Sequence, residues 1–240
     1  MLDSNNHKFN HLKVHTQYSI CEGAIKIENL RDLCKENKIP CVGLSDTSNL
    51  CGALEFAENI SKVGTQPIIG TQIFFKFEET IGLLPLIALN EKGYKRIIEL
   101  SSRSYLENDA LTDPHLDIKE LLSNSDGVIL MSGTIHGLFG KLFEKGHLSE
   151  ISKLYEKLSS KFTDRFYIEI QRHDDQNEIA FEKFNLEQSS KINIPIIATN
   201  EVFYISPEMH EAHDALTCIG SKTYINEKNR VKYSNQHYLK

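Results

Sequence analysis

Several short apolar runs of this 240-residue chain are followed by a histidine or by an acidic residue. Four of them stand out because each follows a different run: His15, Asp46, His173 and Glu201. Imidazole nitrogens and carboxylate oxygens bind Zn²⁺ and Mn²⁺, and such ions activate water for hydrolysis. These side chains could therefore hold one metal ion. They are too few for the multi-metal clamp that phosphoester hydrolysis commonly uses.

A lysine lies among these candidate metal ligands. Side chains alternate along a strand, which places His11, Lys13 and His15 on one face of the first run. The ammonium group of Lys13 could neutralise Asp46 or Glu201 without a metal ion, and it would repel one. Glu169, in the middle of the sixth run, is a further candidate partner for Lys13.

Each of these residues also has a purely structural interpretation. His11 and His15 could be hydrogen-bonded structural histidines, and Asp46 lies in SDTSNL, a pattern typical of a helix start. His210 and His213 are three positions apart on a predicted helix, a spacing that can bind metal, although packing or surface roles are favoured. His237 lies in a polar segment, so we expect it to be exposed.

Seven apolar, β-branched runs predict the strands that would position these side chains. They are residues 9–15, 41–45, 68–75, 84–89, 128–132, 166–171 and 195–199. Helical periodicity between the runs predicts helices over 26–38, 50–63, 91–106, 148–161 and 177–192. The pair Ser206-Pro207 predicts the start of another helix, over 207–219.

The alternating order of strands and helices predicts an α/β fold with a parallel sheet and outer helices. Seven strands in one domain of this length favour a closed or nearly closed barrel, in which reactive groups lie at the carboxyl ends of the strands. An open doubly wound sheet is the alternative.

Composition and the absence of certain motifs argue against several classes of function. The net charge is −6, whereas a domain that grips nucleic acid by itself usually carries a basic surplus. The five cysteines form no CxxC pair, as expected of reduced residues in a cytoplasmic protein. Residues 1–10 contain no apolar run, so we expect no signal peptide, and no apolar run of the sequence is long enough to cross a membrane. GxGxxG, P-loop and GxSxG patterns are also absent.

Seven segments occur in a fixed order along the chain: HLKVHTQYSICEGA, GLSDTSNLCGALEF, PIIGTQIF, ALNEKGYKRIIELSSRSY, ILMSG, FYIEIQRH and IPIIATNEVFYI. Together they resemble the PHP (polymerase and histidinol phosphatase) domain, in the form found at the amino terminus of bacterial DNA polymerase III alpha subunits, and the resemblance covers about residues 9–240. It implies a distorted seven-stranded β/α (TIM-like) barrel. It also implies that residues 1–240 are one PHP domain, the N-terminal fragment of a much longer polymerase subunit.

Intact members of this family hold a cluster of metal ions, and the resemblance maps those ligands onto this chain. The family's histidine, aspartate and later histidine are kept as His15, Asp46 and His173, and a final aspartate is replaced by Glu201. The remaining ligand positions have changed, and they fall on Lys13, Thr47, Gln72, Leu83, Thr134 and Phe203. The resemblance therefore implies a degenerate site that binds no metal and has no catalytic residue.

The expected function follows from the polymerase branch of the family. The domain would be a catalytically inactive scaffold in the bacterial cytoplasm that joins the rest of the alpha subunit and docks the proofreading exonuclease (epsilon) subunit. DNA-directed nucleotidyl transfer, its Mg²⁺ and its contacts with DNA would belong to the parent polymerase outside this chain. The alternative is a residual metal-dependent phosphoesterase or 3′–5′ exonuclease that uses His15, Asp46, His173 and Glu201.

Overall fold

The computed structural model describes residues 9–109 and 112–240. Within them the strands are β1 (Lys13–Val14), β2 (Cys41–Thr47), β3 (Gln66–Phe77), β4 (Thr80–Ala88), β5 (Leu116–Asp117), β6 (Val128–Met131), β7 (Phe166–Ile170), β8 (Ile196–Ala198) and β9 (Glu201–Val202). The helices are α1 (Ile27–Asn37), α2 (Ala53–Ser61), α3 (Glu91–Leu106), α4 (Lys119–Ser123), α5 (Leu138–Glu144), α6 (Leu148–Phe162), α7 (Gln176–Ile192) and α8 (His210–Ser221).

The strands form one mixed sheet in the order β8-β7-β6-β4-β3-β2-β1-β9, with β5 paired to β3. The prediction of a fully parallel sheet is wrong at β4, which runs antiparallel to both β3 and β6. Only two residues separate Phe77 from Thr80, too few for the crossover that parallel neighbours need, so β3 and β4 form a hairpin. All the named strands other than β4 run parallel to one another, so their carboxyl ends lie at the same rim of the sheet.

The two edges of this sheet are brought together by the chain itself. Edge strands β8 and β9 are separated only by Thr199 and Asn200, a link that spans about 10 Å at most. The sheet must therefore curl, and it forms a distorted barrel with surrounding helices. We call the join between the β8 and β9 edges the seam. The predicted barrel class is confirmed.

Most predicted elements are present, with some differences in extent. All seven predicted strands occur, but the first is only Lys13–Val14 and not residues 9–15. The two-residue strands β5 and β9 and the short helices α4 and α5 were not predicted, because they are too brief to show a periodic pattern. Proline at the predicted position opens a 3₁₀ turn, Pro207–Met209, that leads into α8.

The apolar core lies in two groups on either side of the sheet's middle. One packs β3, β4, β6 and β7 against α3, α5 and α6, with Phe139, Tyr155 and Phe166 at its centre. The other packs β1 and β2 against α1 and α2 through Leu44 and Phe56. Among the described residues, no helix is long and apolar enough to cross a membrane.

Candidate functional site

Lys13 is the central charge of the candidate site. Its side chain is fully buried, and its Nζ lies 3.2 Å from Glu169 Oε1 on β7 and 3.3 Å from Glu201 Oε1 on β9. The prediction that Lys13 pairs with Glu169 and Glu201 is confirmed, whereas Asp46 lies in a separate set of hydrogen bonds. The ammonium group of Lys13 thus occupies the space between two carboxylates, where a metal cation could otherwise bind.

The carboxylate of Glu201 also contacts two other polar side chains. Its Oε1 lies 3.0 Å from His15 Nε2 and accepts a hydrogen bond from Gln72 Nε2 at 2.5 Å. Gln72 Nε2 is in turn 2.9 Å from His15 Nε2. Side chains from the end of β1 and the middle of β3 therefore converge on one carboxylate oxygen at the start of β9.

Electrostatic interactions stabilise the charged forms of this cluster. Burial by itself would lower the pKa of Lys13, but the charges of Glu169 and Glu201 outweigh it and hold that pKa above its ordinary value. Burial would likewise raise the pKa of Glu201, but Lys13, His15 and Gln72 hold it well below the usual range. Lys13 and Glu201 are therefore both ionised at neutral pH.

Asp46 is fully buried, and hydrogen bonds from the loop after β1 occupy its oxygens. Oδ1 accepts from the Thr16 amide at 2.6 Å and from Ser19 Oγ at 2.7 Å, and Oδ2 accepts from Thr16 Oγ1 at 2.8 Å. The helix-capping interpretation of Asp46 is wrong, because Gly52 occupies the N-cap position of α2. Ser19 Oγ also lies 3.1 Å from His15 Nδ1, so it links Asp46 to the Lys13 cluster.

His173 follows β7 and uses both of its ring nitrogens. Nδ1 lies 3.1 Å from Glu178 Oε1, and Nε2 accepts a hydrogen bond from the Glu201 amide at 3.3 Å. The ring stacks on His237, with the two centroids 4.0 Å apart. His237 is therefore buried, which contradicts the expectation that it is exposed. Burial, together with the nearby His173, lowers the pKa of His237 to about 3.

The substituted positions are filled by packing or by other hydrogen bonds. Phe203 lies over His15 with ring centroids 4.4 Å apart, and Thr47 donates a hydrogen bond to Glu22. Thr134 accepts one from the amide of His136, and Leu83 lies on β4 opposite Phe74. None of these four side chains can supply the imidazole or thiolate expected of an intact site.

His210 and His213 have the packing role that was favoured for them. His213 is buried 5.5 Å from the Phe203 ring, and its Nε2 lies 2.7 Å from the Glu22 carbonyl oxygen. His210 Nε2 lies 2.9 Å from the Tyr233 carbonyl oxygen. His11 is buried as well, with Nε2 2.9 Å from the Lys240 carbonyl oxygen.

The structure thus unites part of the predicted ligand set and separates the rest. His15 and Glu201 touch, Asp46 joins them through Ser19, and His173 reaches only the backbone of Glu201. Over residues 9–109 and 112–240, no three His, Cys, Asp or Glu side chains are arranged to hold a metal ion. Sequence patterns did not reveal Ser19 as a hydrogen-bonding link, since a serine in a loop has no distinguishing signal.

Comparison with known proteins identifies relatives of this chain. The profile of the PHP domain family matches residues 11–173. The DNA polymerase III subunit alpha of Caulobacter vibrioides is 35% identical over 253 aligned positions, which cover 100% of this chain and 22% of that protein. The same subunit of Rickettsia felis is 34% identical over 97% of this chain and 19% of its own length. The chain spans about a fifth of the length of these curated relatives.

A solved structure resembles the fold. A presumed metal-dependent phosphoesterase from Bifidobacterium adolescentis superposes with a TM-score of 0.54, covering 80% of this chain and 86% of that one. The two sequences are 11% identical, so the likeness concerns the fold alone.

Proposed function

The chain belongs to the PHP domain family, and on that basis we propose that it is the PHP domain of a bacterial DNA polymerase III alpha subunit. In this role it is a non-catalytic scaffold in the cytoplasm that docks the proofreading exonuclease subunit. The relatives from Caulobacter vibrioides and Rickettsia felis support the parent polymerase, because their similarity extends over nearly all of this chain.

The observation that carries the non-catalytic assignment is the buried ion pair of Lys13 with Glu169 and Glu201. A metal ion bound by these carboxylates would lie within a few ångströms of a fixed ammonium charge. Repulsion at such a distance is severe in a buried site, where the effective dielectric constant is low. The residues present therefore do not suit the metal cluster that the family fold implies.

The other retained positions favour the same conclusion. The side-chain oxygens of Asp46 accept hydrogen bonds from Thr16 and Ser19, and His173 Nε2 accepts one from a backbone amide. Gln72 is an uncharged amide where the family's glutamate would add negative charge. A hydrolytic metal site needs open coordination positions and an activated water molecule, and these side chains provide no such arrangement.

Lys13 also has a structural role in this proposal. It lies on β1, beside one edge of the sheet, whereas Glu169 lies on β7, beside the other edge. The ion pair therefore joins the two sides of the seam inside the barrel. A lysine held in this way ties the strand ends together where a metal cluster would do so in an intact family member.

In the proposed parent protein, nucleotidyl transfer, DNA binding and Mg²⁺ belong to regions outside this chain. The net charge of −6 supports this division, since an acidic domain is poorly suited to grip a phosphate backbone by itself. The domain then contributes by joining the remainder of the subunit and by offering a surface to the exonuclease.

Cross-linking of the complete polymerase subunit to its own organism's purified exonuclease tests the docking role. We expect a stable complex on gel filtration and lysine cross-links between the exonuclease and residues 9–240. Cross-links within the polymerase alone provide the control. A complex whose intermolecular cross-links all lie outside these residues, or no complex at all, would show that this domain is not the docking platform.

A further inference from the structure

Helix α7 turns polar side chains towards the barrel. Its buried residues are Glu178, Phe181, Asn185 and Gln188, and three of these four are polar. A helix that covers a sheet ordinarily buries an apolar stripe at that contact. Polar groups that are removed from water need hydrogen-bond partners, so this face of α7 must find them inside the protein.

Two buried polar atoms where α7 meets β7 have no hydrogen-bond partner among the residues that the structure describes. They are Glu169 Oε2 on β7 and Asn185 Nδ2 on α7. The two residues are 2% and 1% exposed, so bulk solvent does not reach these atoms. An unpaired donor or acceptor at such depth is costly, which indicates that both atoms bind something.

The other polar atoms of these two side chains already have partners. Glu169 Oε1 lies 3.2 Å from Lys13 Nζ and accepts a hydrogen bond from Gln171 Nε2 at 2.8 Å. Asn185 Oδ1 accepts a hydrogen bond from the Tyr155 hydroxyl at 3.0 Å. Burial raises the pKa of Tyr155, so this hydroxyl keeps its proton and remains a donor. Glu169 Oε2 is therefore left as an acceptor, and Asn185 Nδ2 is left as a donor.

Glu169 and Asn185 line the same narrow cavity. It lies between β7, α7 and residues 133–135 of the loop after β6, and it offers about 10 Å³ to the centre of a water molecule. A bound water needs roughly 10–15 Å³ of such space. The cavity can therefore hold a single water-sized species, and it is too small for an organic ligand.

The chemistry of the two atoms selects among species of that size. The ligand must donate to the carboxylate of Glu169 and accept from the amide of Asn185. Water does both. A metal cation or an ammonium ion has no lone pair for Asn185, and it would also be repelled by the nearby charge of Lys13. An anion would be repelled by Glu169.

We propose that this cavity is a binding site for one water molecule, which donates to Glu169 Oε2 and accepts from Asn185 Nδ2. The water completes the hydrogen bonding of the carboxylate that pairs with Lys13. It also connects the Lys13 cluster, through Asn185, to Tyr155 in the apolar core. This inference concerns groups within the described residues and does not depend on the parent polymerase.

X-ray radiolysis of the complete polypeptide in H₂¹⁸O, read by mass spectrometry, tests the site. Radicals formed from a bound water hydroxylate the side chains next to it. Phe181 lines the cavity, whereas Phe139 is buried in the core and does not line it. We expect ¹⁸O to be incorporated into Phe181 of the wild type roughly fivefold faster than into Phe139, because only Phe181 has a water beside it.

Two variants on the same face of α7 show whether the water is the cause. Asn185→Leu replaces the donor by an apolar group of similar size, and labelling of Phe181 should fall roughly fivefold because apolar cavities stay dry. Gln188→Leu is the matched control, since Gln188 is also a buried amide of α7 but does not line the cavity. The control should keep the labelling of the wild type. Equal labelling of Phe181 in the two variants would overturn the inference.

A high-resolution crystal structure of the wild-type polypeptide gives a second readout that needs no variant. Electron density for one water within about 3.2 Å of both Glu169 Oε2 and Asn185 Nδ2 would support the site. A direct hydrogen bond between these two atoms, with no density beside them, would contradict it. An unfolding midpoint that rises with KCl or NH₄Cl, but not with choline chloride, would show that a cation occupies the cavity and that the inference is wrong.

Discussion

Lys13 Nζ and Glu169 Oε1 lie 3.2 Å apart inside the barrel, although β1 and β7 are separated by four other strands along the sheet. The contact crosses the seam, where the described part of the chain provides no strand ladder between β8 and β9. Glu201 adds a second carboxylate from the β9 edge. Side-chain charge therefore takes part in closing this barrel, at a place where backbone hydrogen bonds do not.

Replacing Lys13 by methionine should destabilise the fold strongly. The variant keeps the volume of the side chain but leaves two carboxylates buried opposite an apolar group. Removal of one partner from a buried ion pair costs roughly 3–5 kcal/mol. Urea unfolding of Lys13→Met and of wild type measures the loss.

Two further variants show whether charge is the cause. Lys62→Met, at an exposed position, should leave the free energy of unfolding unchanged. Adding Glu169→Gln and Glu201→Gln to Lys13→Met removes the unpaired charges and should restore much of the stability. A Lys13→Met protein as stable as wild type would show that the ion pair does not stabilise the fold.

Replacing Asp46 by asparagine should weaken the attachment of the loop after β1. One carboxylate oxygen becomes an amide NH₂ group, which cannot accept from Thr16 or Ser19 and leaves a buried donor unpaired. The expected loss is about 1–3 kcal/mol. Thermal unfolding provides the measurement, with the exposed Asp126→Asn as control. Equal melting temperatures for the two variants would argue against a structural role for Asp46.

Stability should fall as the pH is lowered from about 6.5 towards 3. Because the pKa of His237 is about 3 in the fold and near 6.5 in the unfolded chain, only the unfolded chain binds this proton in that window. Each such histidine contributes a slope of up to about 1.4 kcal/mol per pH unit. Burial also lowers the pKa of His213, which adds to the slope in the same direction.

The variant His237→Gln isolates this contribution. Its free energy of unfolding should depend less steeply on pH between 6.5 and 3 than that of wild type. His136→Gln is the control because the side chain of His136 is 66% exposed. Parallel pH profiles for His237→Gln and wild type would rule out the buried stack as a source of acid sensitivity.

The fold class could be predicted because long apolar runs and helical periodicities are local properties of the sequence. The antiparallel course of β4 was not predicted, since it depends on the two-residue connection between Phe77 and Thr80. The charged cluster that spans the seam was partly predictable, because strand alternation already placed Lys13 on the same face as the candidate ligand His15. The pairing of Lys13 with Glu169 was correctly expected from two mid-strand charges that needed partners.

The roles of Asp46 and His237 could not be predicted from local sequence patterns. Asp46 lies next to the last residue of β2 and precedes a helix, so a capping role was a natural expectation, but its donors lie 27 and 30 residues earlier. His237 lies in a polar segment, yet it stacks on His173, which is far away in the sequence. Only the three-dimensional path of the chain brings these groups together.

Metal analysis of the purified complete protein tests the central claim most directly. If the charge of Lys13 takes the place of a metal cluster, the protein should contain only trace Zn, Mn or Fe after purification without chelators. It should also hydrolyse neither a phosphomonoester nor single-stranded DNA through residues 9–240. Stoichiometric metal, lost together with hydrolytic activity in a His15→Ala or Asp46→Ala variant, would contradict the account.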